Sequence, residues 1–153
     1  MVSYRQLIDI SNATILALVK AMKNVGVNEQ IIWNEMSFTF RDLLKETDLI
    51  FGGNDVKSIA DSFAAKMKEI GLCQRVIINE ANDNKVVIDI GDCVFSSACR
   101  RLRGEDYMSQ PPCPMIAILY SSINEHLGKE GYVSDFKTNP QENTDEFTIS
   151  LEG

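Results

Sequence analysis

The 153-residue chain predicts an α+β domain in which helices pack on an antiparallel sheet. Apolar residues recur at helical spacing in one set of segments and at every second position in another. The alternating segments come in adjacent pairs joined by short polar turns, the pattern of antiparallel hairpins. Helices and hairpins follow one another in blocks, without the strand–helix–strand alternation of a parallel sheet.

Taken in order, Ile15, Leu18, Val19 and Met22 mark a helix between Ser11 and Gly26, with Gly26 as its stop. Tyr4, Leu7 and Ile8 carry the same face back toward Ser3. Residues 30–51 hold two patterns. Met36, Phe38 and Phe40 alternate like a strand, whereas Ile32, Met36, Phe40 and Leu43–Leu44 fit a helix, and the helix is assigned. Asn54 or Asp55 caps the next helix, whose stripe is Val56, Ile59, Ala60, Phe63, Met67 and Ile70, closed by Gly71. Strands Gln74–Glu80 and Lys85–Gly91 then flank the polar turn Ala81-Asn82-Asp83-Asn84. A cysteine-bearing loop follows. Pro114 opens the last helix at the position where its missing N–H costs nothing. Ile116, Leu119, Tyr120, Ile123 and Leu127 make its buried face, and Gly128 ends it. A second hairpin runs through Tyr132–Thr138 and Asp145–Leu151 around the polar Asn139–Thr144 connection. No internal repeat or low-complexity linker is visible. Residues 1–153 read as a single domain, with 1–53 an N-terminal helical part and 54–151 the core.

Composition narrows the function. With 44% hydrophobic and 24% charged residues, a chain of this length buries roughly 70% of its unfolded surface and folds without disulfides. A net charge of −7 argues against nucleic acid, which asks for a basic face. No apolar run approaches the roughly 20 residues that cross a bilayer. MVSYRQLIDIS lacks the features of a secretion signal. These observations place the chain in the cytosol, off the membrane, where clustered cysteines are metal ligands or reactive groups rather than staples.

The most informative stretch is GDCVFSSACRRLRGEDYMSQPPCPMIAILY, which holds three of the four cysteines, Cys93, Cys99 and Cys113. Together with the hairpin VIINEANDNKVVIDIGDCVF, the helix MIAILYSSINEHLG and the closing hairpin, it resembles the 4-vinyl reductase domain family. These small hydrocarbon-binding domains are related to vesicle-tethering TRAPP subunits and to haem-NO-binding domains. The likeness spans roughly Asn54 to Leu151. It implies a ligand-binding domain of the NO-signalling and Golgi-transport type, with helices and sheet enclosing an apolar pocket, commonly dimeric. It also implies a sensor of small hydrophobic or aromatic molecules, or an accessory protein of tetrapyrrole metabolism. Some members bind zinc through cysteines and an acidic residue. Many carry a further cysteine pair in the final hairpin, and Phe136–Phe147 contains none.

Three readings of the cysteines stand side by side. Zinc wants about four ligands, usually thiolate or imidazole. Cys93, Cys99 and Cys113 would need Asp92, Glu105, Asp106, a water or a folded-back Cys73 to complete the set, and C-x5-C and C-x13-C are not diagnostic spacings. Buried cysteine also packs as a small hydrophobe. Third, Cys113 at a helix start, with Arg100, Arg101 and Arg103 near in sequence, suits a stabilised thiolate. The one histidine, His126, lies about 20 Å along the same helix, too far to act as its base, and reads as a surface residue.

Arg100 and Arg101 offer an anchor for a carboxylate or phosphate on a ligand, or a solvated turn paired with Glu105 and Asp106. Gly52-Gly53 is a turn, since no phosphate-loop pattern follows it. Phe95, Ile116, Leu119 and Tyr120, with Phe63, Met67, Phe38 and Trp33, would either line an apolar pocket or fill a core. The expected function is a homodimeric domain that binds a small hydrophobic or aromatic molecule without transforming it. The alternatives are a zinc-stabilised dimerisation or docking module, and a thiol-dependent enzyme or tetrapyrrole accessory protein.

Overall fold

Each helix of the N-terminal half starts at a side-chain cap. The computed structural model describes residues 2–47, 49, 51–104 and 112–153. Helix α1 spans Tyr4–Asn24, opened by a capping box in which Ser3 and Gln6 exchange side-chain and backbone bonds. Helix α2 spans Glu29–Lys45 behind Asn28, whose side chain accepts from the Gln30 N–H. Its buried Ile32, Trp33, Ser37 and Leu44 follow helical spacing, so the helical pattern in this segment prevails over the alternating one. Helix α3 spans Val56–Glu69, and of the two candidate caps it is Asp55 that accepts from the Ser58 N–H.

Strands β1 (Cys73–Asn82) and β2 (Lys85–Cys93) form the first hairpin. Its turn has two residues, and the Asn82 carboxamide oxygen accepts from the N–H groups of Asn84 and Lys85. The cysteine segment departs from the expected loop, because Ser96–Gly104 forms helix α4. Leu102 explains it: this side chain is fully buried in a small cluster with Val19 of α1 and Ile32 of α2, a contact that a helix presents and a solvated turn does not. Helix α5 spans Pro114–Leu127, and strands β3 (Glu130–Asn139) and β4 (Thr144–Glu152) complete the chain.

All strand pairs are antiparallel, in the order β1-β2-β4-β3. The architecture is therefore α+β, as the pattern predicts. It also contains a repeat that the sequence does not display. The units α3-β1-β2 and α5-β3-β4 each hold a 14-residue helix, a 10-residue edge strand and a 9-residue inner strand. Gly71 and Gly128, both at positive φ, turn each helix into its edge strand. The inner strands meet with Ile88 opposite Phe147, the equivalent position of the other unit, as a two-fold relation requires.

The main core lies between the sheet and helices α3 and α5, with Phe63, Met67, Ile88, Ile116, Leu119 and Ile149 at its centre. Helix α2 covers α5 from outside, which is why every residue from Pro114 to Ile123 is buried. Helix α1 touches the rest mainly through α4 and the Val19–Ile32–Leu102 cluster.

Candidate functional site

The four cysteines are free thiols, and all pack in or against the main core. They stand as two pairs. Cys73 and Cys93 face each other at the open end of the first hairpin. The Cys73 thiol beside it, together with burial, pushes the Cys93 thiol well above the usual range. Cys99 of α4 lies against Cys113, the residue that caps α5, and that neighbour and burial push the Cys99 thiol up as well. Thiols held protonated are poor nucleophiles.

Among the described residues, no group of three or more Cys, His, Asp or Glu side chains is gathered as a metal cluster. Of the further acidic candidates, Asp92 bonds the Asn143 side chain at 2.8 Å, and Glu105 and Asp106 lie outside the described residues. His126 is exposed, as expected. Gly53 is a close-approach position ahead of α3, since an added Cβ would come within 2.8 Å of the Ile59 nitrogen.

The pocket candidates separate. Ile116 and Leu119 are wholly buried among core side chains, and Phe95 packs half-buried against that core. Arg100 is exposed, with a long bond of 3.4 Å to the Asn143 carbonyl in the turn of the second hairpin. Arg101 borders a cleft between α1 and α4 with Asp9, Asn12 and Lys20. Only Tyr120 of the six lines an aromatic cleft. That cleft, of about 340 Å³, is walled by Phe38, Tyr120 and Tyr132, with Glu130 and Glu152 at its polar side. The Tyr120 hydroxyl donates to Glu130 at 3.1 Å and accepts from the Gly131 N–H at 3.2 Å, while its ring leans on Trp33 at 4.8 Å. Burial, and then Glu130, push the phenol up to about 12. Gly131 has no room for a side chain, since an added Cβ would sit 3.3 Å from the Tyr120 ring and 2.6 Å from the Ser150 carbonyl.

A third feature is the exposed side of α1. Tyr4, Leu7, Ile10, Leu18 and Val25 are 52–80% exposed along one side of α1. Ser11, Thr14, Ala17 and Ala21 lie between them, also exposed. The charged residues of α1, Arg5, Asp9, Lys20 and Lys23, fall on other sectors of the helix. The sequence carried the signal in the spacing of residues 4, 7, 11, 14, 18, 21 and 25, a seven-residue repeat. The periodicity predicts Tyr4, Leu7 and Leu18 on the inward face, whereas that face holds Asn12, Val19 and Met22.

No helix among the described residues is long and apolar enough to cross a membrane. No protein-family model matches this chain, and no curated protein matches it.

Proposed function

We propose that the protein is a non-catalytic, cytosolic association module that pairs with a second copy of itself through α1. The observation that carries this reading is the uncharged, apolar side of α1. Interface cores are depleted in charge and enriched in large apolar side chains, and monomers rarely leave such strips bare. The partner is a second copy because a chain of net charge −7 repels itself except where it carries no charge, and this strip carries none. Two copies related by a two-fold axis would each present the same strip to the other. The resemblance to the 4-vinyl reductase domains, commonly dimeric, supports the same reading. Sedimentation of the full chain tests it. The wild type should run as a dimer at micromolar concentration and Leu18→Glu as a monomer with an unchanged melting temperature. A monomeric wild type would overturn the reading.

A second reading is favoured by the aromatic cleft. Carboxylates of Glu130 and Glu152 beside the rings of Phe38 and Tyr132 suit a small aromatic ligand that carries a protonated amine. Ligand binding to the native state alone raises the melting temperature. Benzylamine should therefore raise it more than benzyl alcohol, and Glu130→Gln should remove the difference. Equal shifts from both compounds would sink the cleft as an amine site.

A further inference from the structure

We propose that Cys73 and Cys93 are a modification site, a cross-strand dithiol that a small-molecule disulfide such as oxidised glutathione converts to a reversible intramolecular disulfide.

The geometry begins with a register shift. Counting outward from the Asn82–Lys85 turn pair, an unbroken ladder would set Cys73 opposite Val94. A bulge between Ile78 and Glu80 moves the register by one and sets Cys73 opposite Cys93. The neighbouring Leu72–Val94 pair holds a ladder bond, with the Val94 N–H donating to the Leu72 carbonyl at 2.9 Å. The Cys93 N–H donates instead to Ser96 Oγ. Cys73 and Cys93 are thus a non-hydrogen-bonded pair, the kind whose Cα atoms lie about 4.5 Å apart with side chains closest. Disulfides span Cα separations of roughly 4.4–6.8 Å. The pair can close without moving the strands, but at the short end of that range, where strain makes the bond easier to reduce.

Access sets the order of events. Cys93 is partly exposed and Cys73 is fully buried. Held protonated beside Cys73, Cys93 reacts slowly, through its small thiolate fraction: it releases its proton to solvent and its sulfur attacks one sulfur of the glutathione disulfide. A Cys93–glutathione bond forms and one glutathione thiol leaves. Cys73 then loses its proton and attacks the Cys93 sulfur, displacing the second glutathione. Two protein thiols are oxidised by two electrons, and one glutathione disulfide becomes two thiols. The reaction also reaches beyond the hairpin. Cys93 Sγ accepts from the Phe95 N–H at 3.4 Å, so the new bond competes with a contact that shapes the turn into α4.

The test is exposure of the reduced, folded full chain to oxidised glutathione, followed by peptide mapping. The wild type should lose two of its four thiols in a Cys73–Cys93 link and regain both with dithiothreitol. Cys73→Ser should stop at one glutathione on Cys93, Cys93→Ser should take up none at Cys73, and Cys99→Ser should behave as wild type. A Cys99–Cys113 link formed in place of Cys73–Cys93 would overturn the proposal. So would four intact thiols in the folded wild type under conditions that oxidise the urea-unfolded chain.

Discussion

Asn12 is the side chain on which the seat of α1 depends. It is 6% exposed, and its amide donates to the carbonyls of Ile8 at 3.0 Å and Val94 at 2.6 Å, while its oxygen accepts from the Ala98 N–H at 3.0 Å. One residue thereby ties α1 to the turn between β2 and α4. Removing it strands a buried donor and acceptor, which costs about 1–3 kcal/mol. Asn12→Ala should lower the urea midpoint accordingly and open α1 to protease ahead of the core. A change under about 0.5 kcal/mol, the scale of ordinary surface substitutions, would mean that the apolar contacts of Val19 and Ile15 alone hold the helix. Nothing in the sequence marks Asn12 out, because two of its partners are 82 and 86 positions away. The cysteines were half legible for a related reason. Their crowding was plain, but the pairing of Cys73 with Cys93 depends on a bulge that no residue type announces.

Helices α2 and α5 cross where small residues meet. Ser121 is 2% exposed, and its single hydroxyl proton is shared between the Ser37 carbonyl at 2.7 Å and the Ala117 carbonyl of its own helix at 2.6 Å. Packed helices sit about 8–10 Å apart depending on the side chains between them, and a serine on each side favours the near end. Ser121→Leu should therefore cost about 1–3 kcal/mol from overpacking on top of the lost bond, lowering the melting temperature well beyond Ser121→Ala. Equal losses from the two variants would show that the hydrogen bond, and not the clearance, sets the crossing. The elements themselves were readable wherever a cap, a stripe and a stop coincided, as in α3 and α5. Helix α4 escaped because Leu102 sits among arginines and finds its apolar partners on α1 and α2, far away in sequence. The exposed side of α1 was misassigned because it is apolar like the buried side, and periodicity alone does not say which of two apolar faces turns inward.

At the scale of the whole molecule, the α+β class followed from the order of patterns, whereas the two-fold relation did not. Equivalent positions share a structural task rather than an identity: Cys73 and Glu130 both begin an edge strand, and Ile88 and Phe147 meet each other at the centre. The two turns also differ in length, which blurs any fixed spacing. The site candidates scattered for a similar reason. Residues close in sequence, such as Arg100, Arg101 and Cys113, were grouped by proximity along the chain, and the fold sends them to different surfaces. The sheet order has a consequence for how this molecule comes into being. Because β4 lies between β2 and β3, the inner edge of β2 and that of β3 both wait for residues 144–152. As the chain is synthesised, the first hairpin stands with a bare row of donors and acceptors along β2 until β4 emerges. Bare edges recruit strands from other molecules. Of the four strands the central one is thus the last to be made, and for that interval a second nascent copy competes with the chain's own β4 for the same seam.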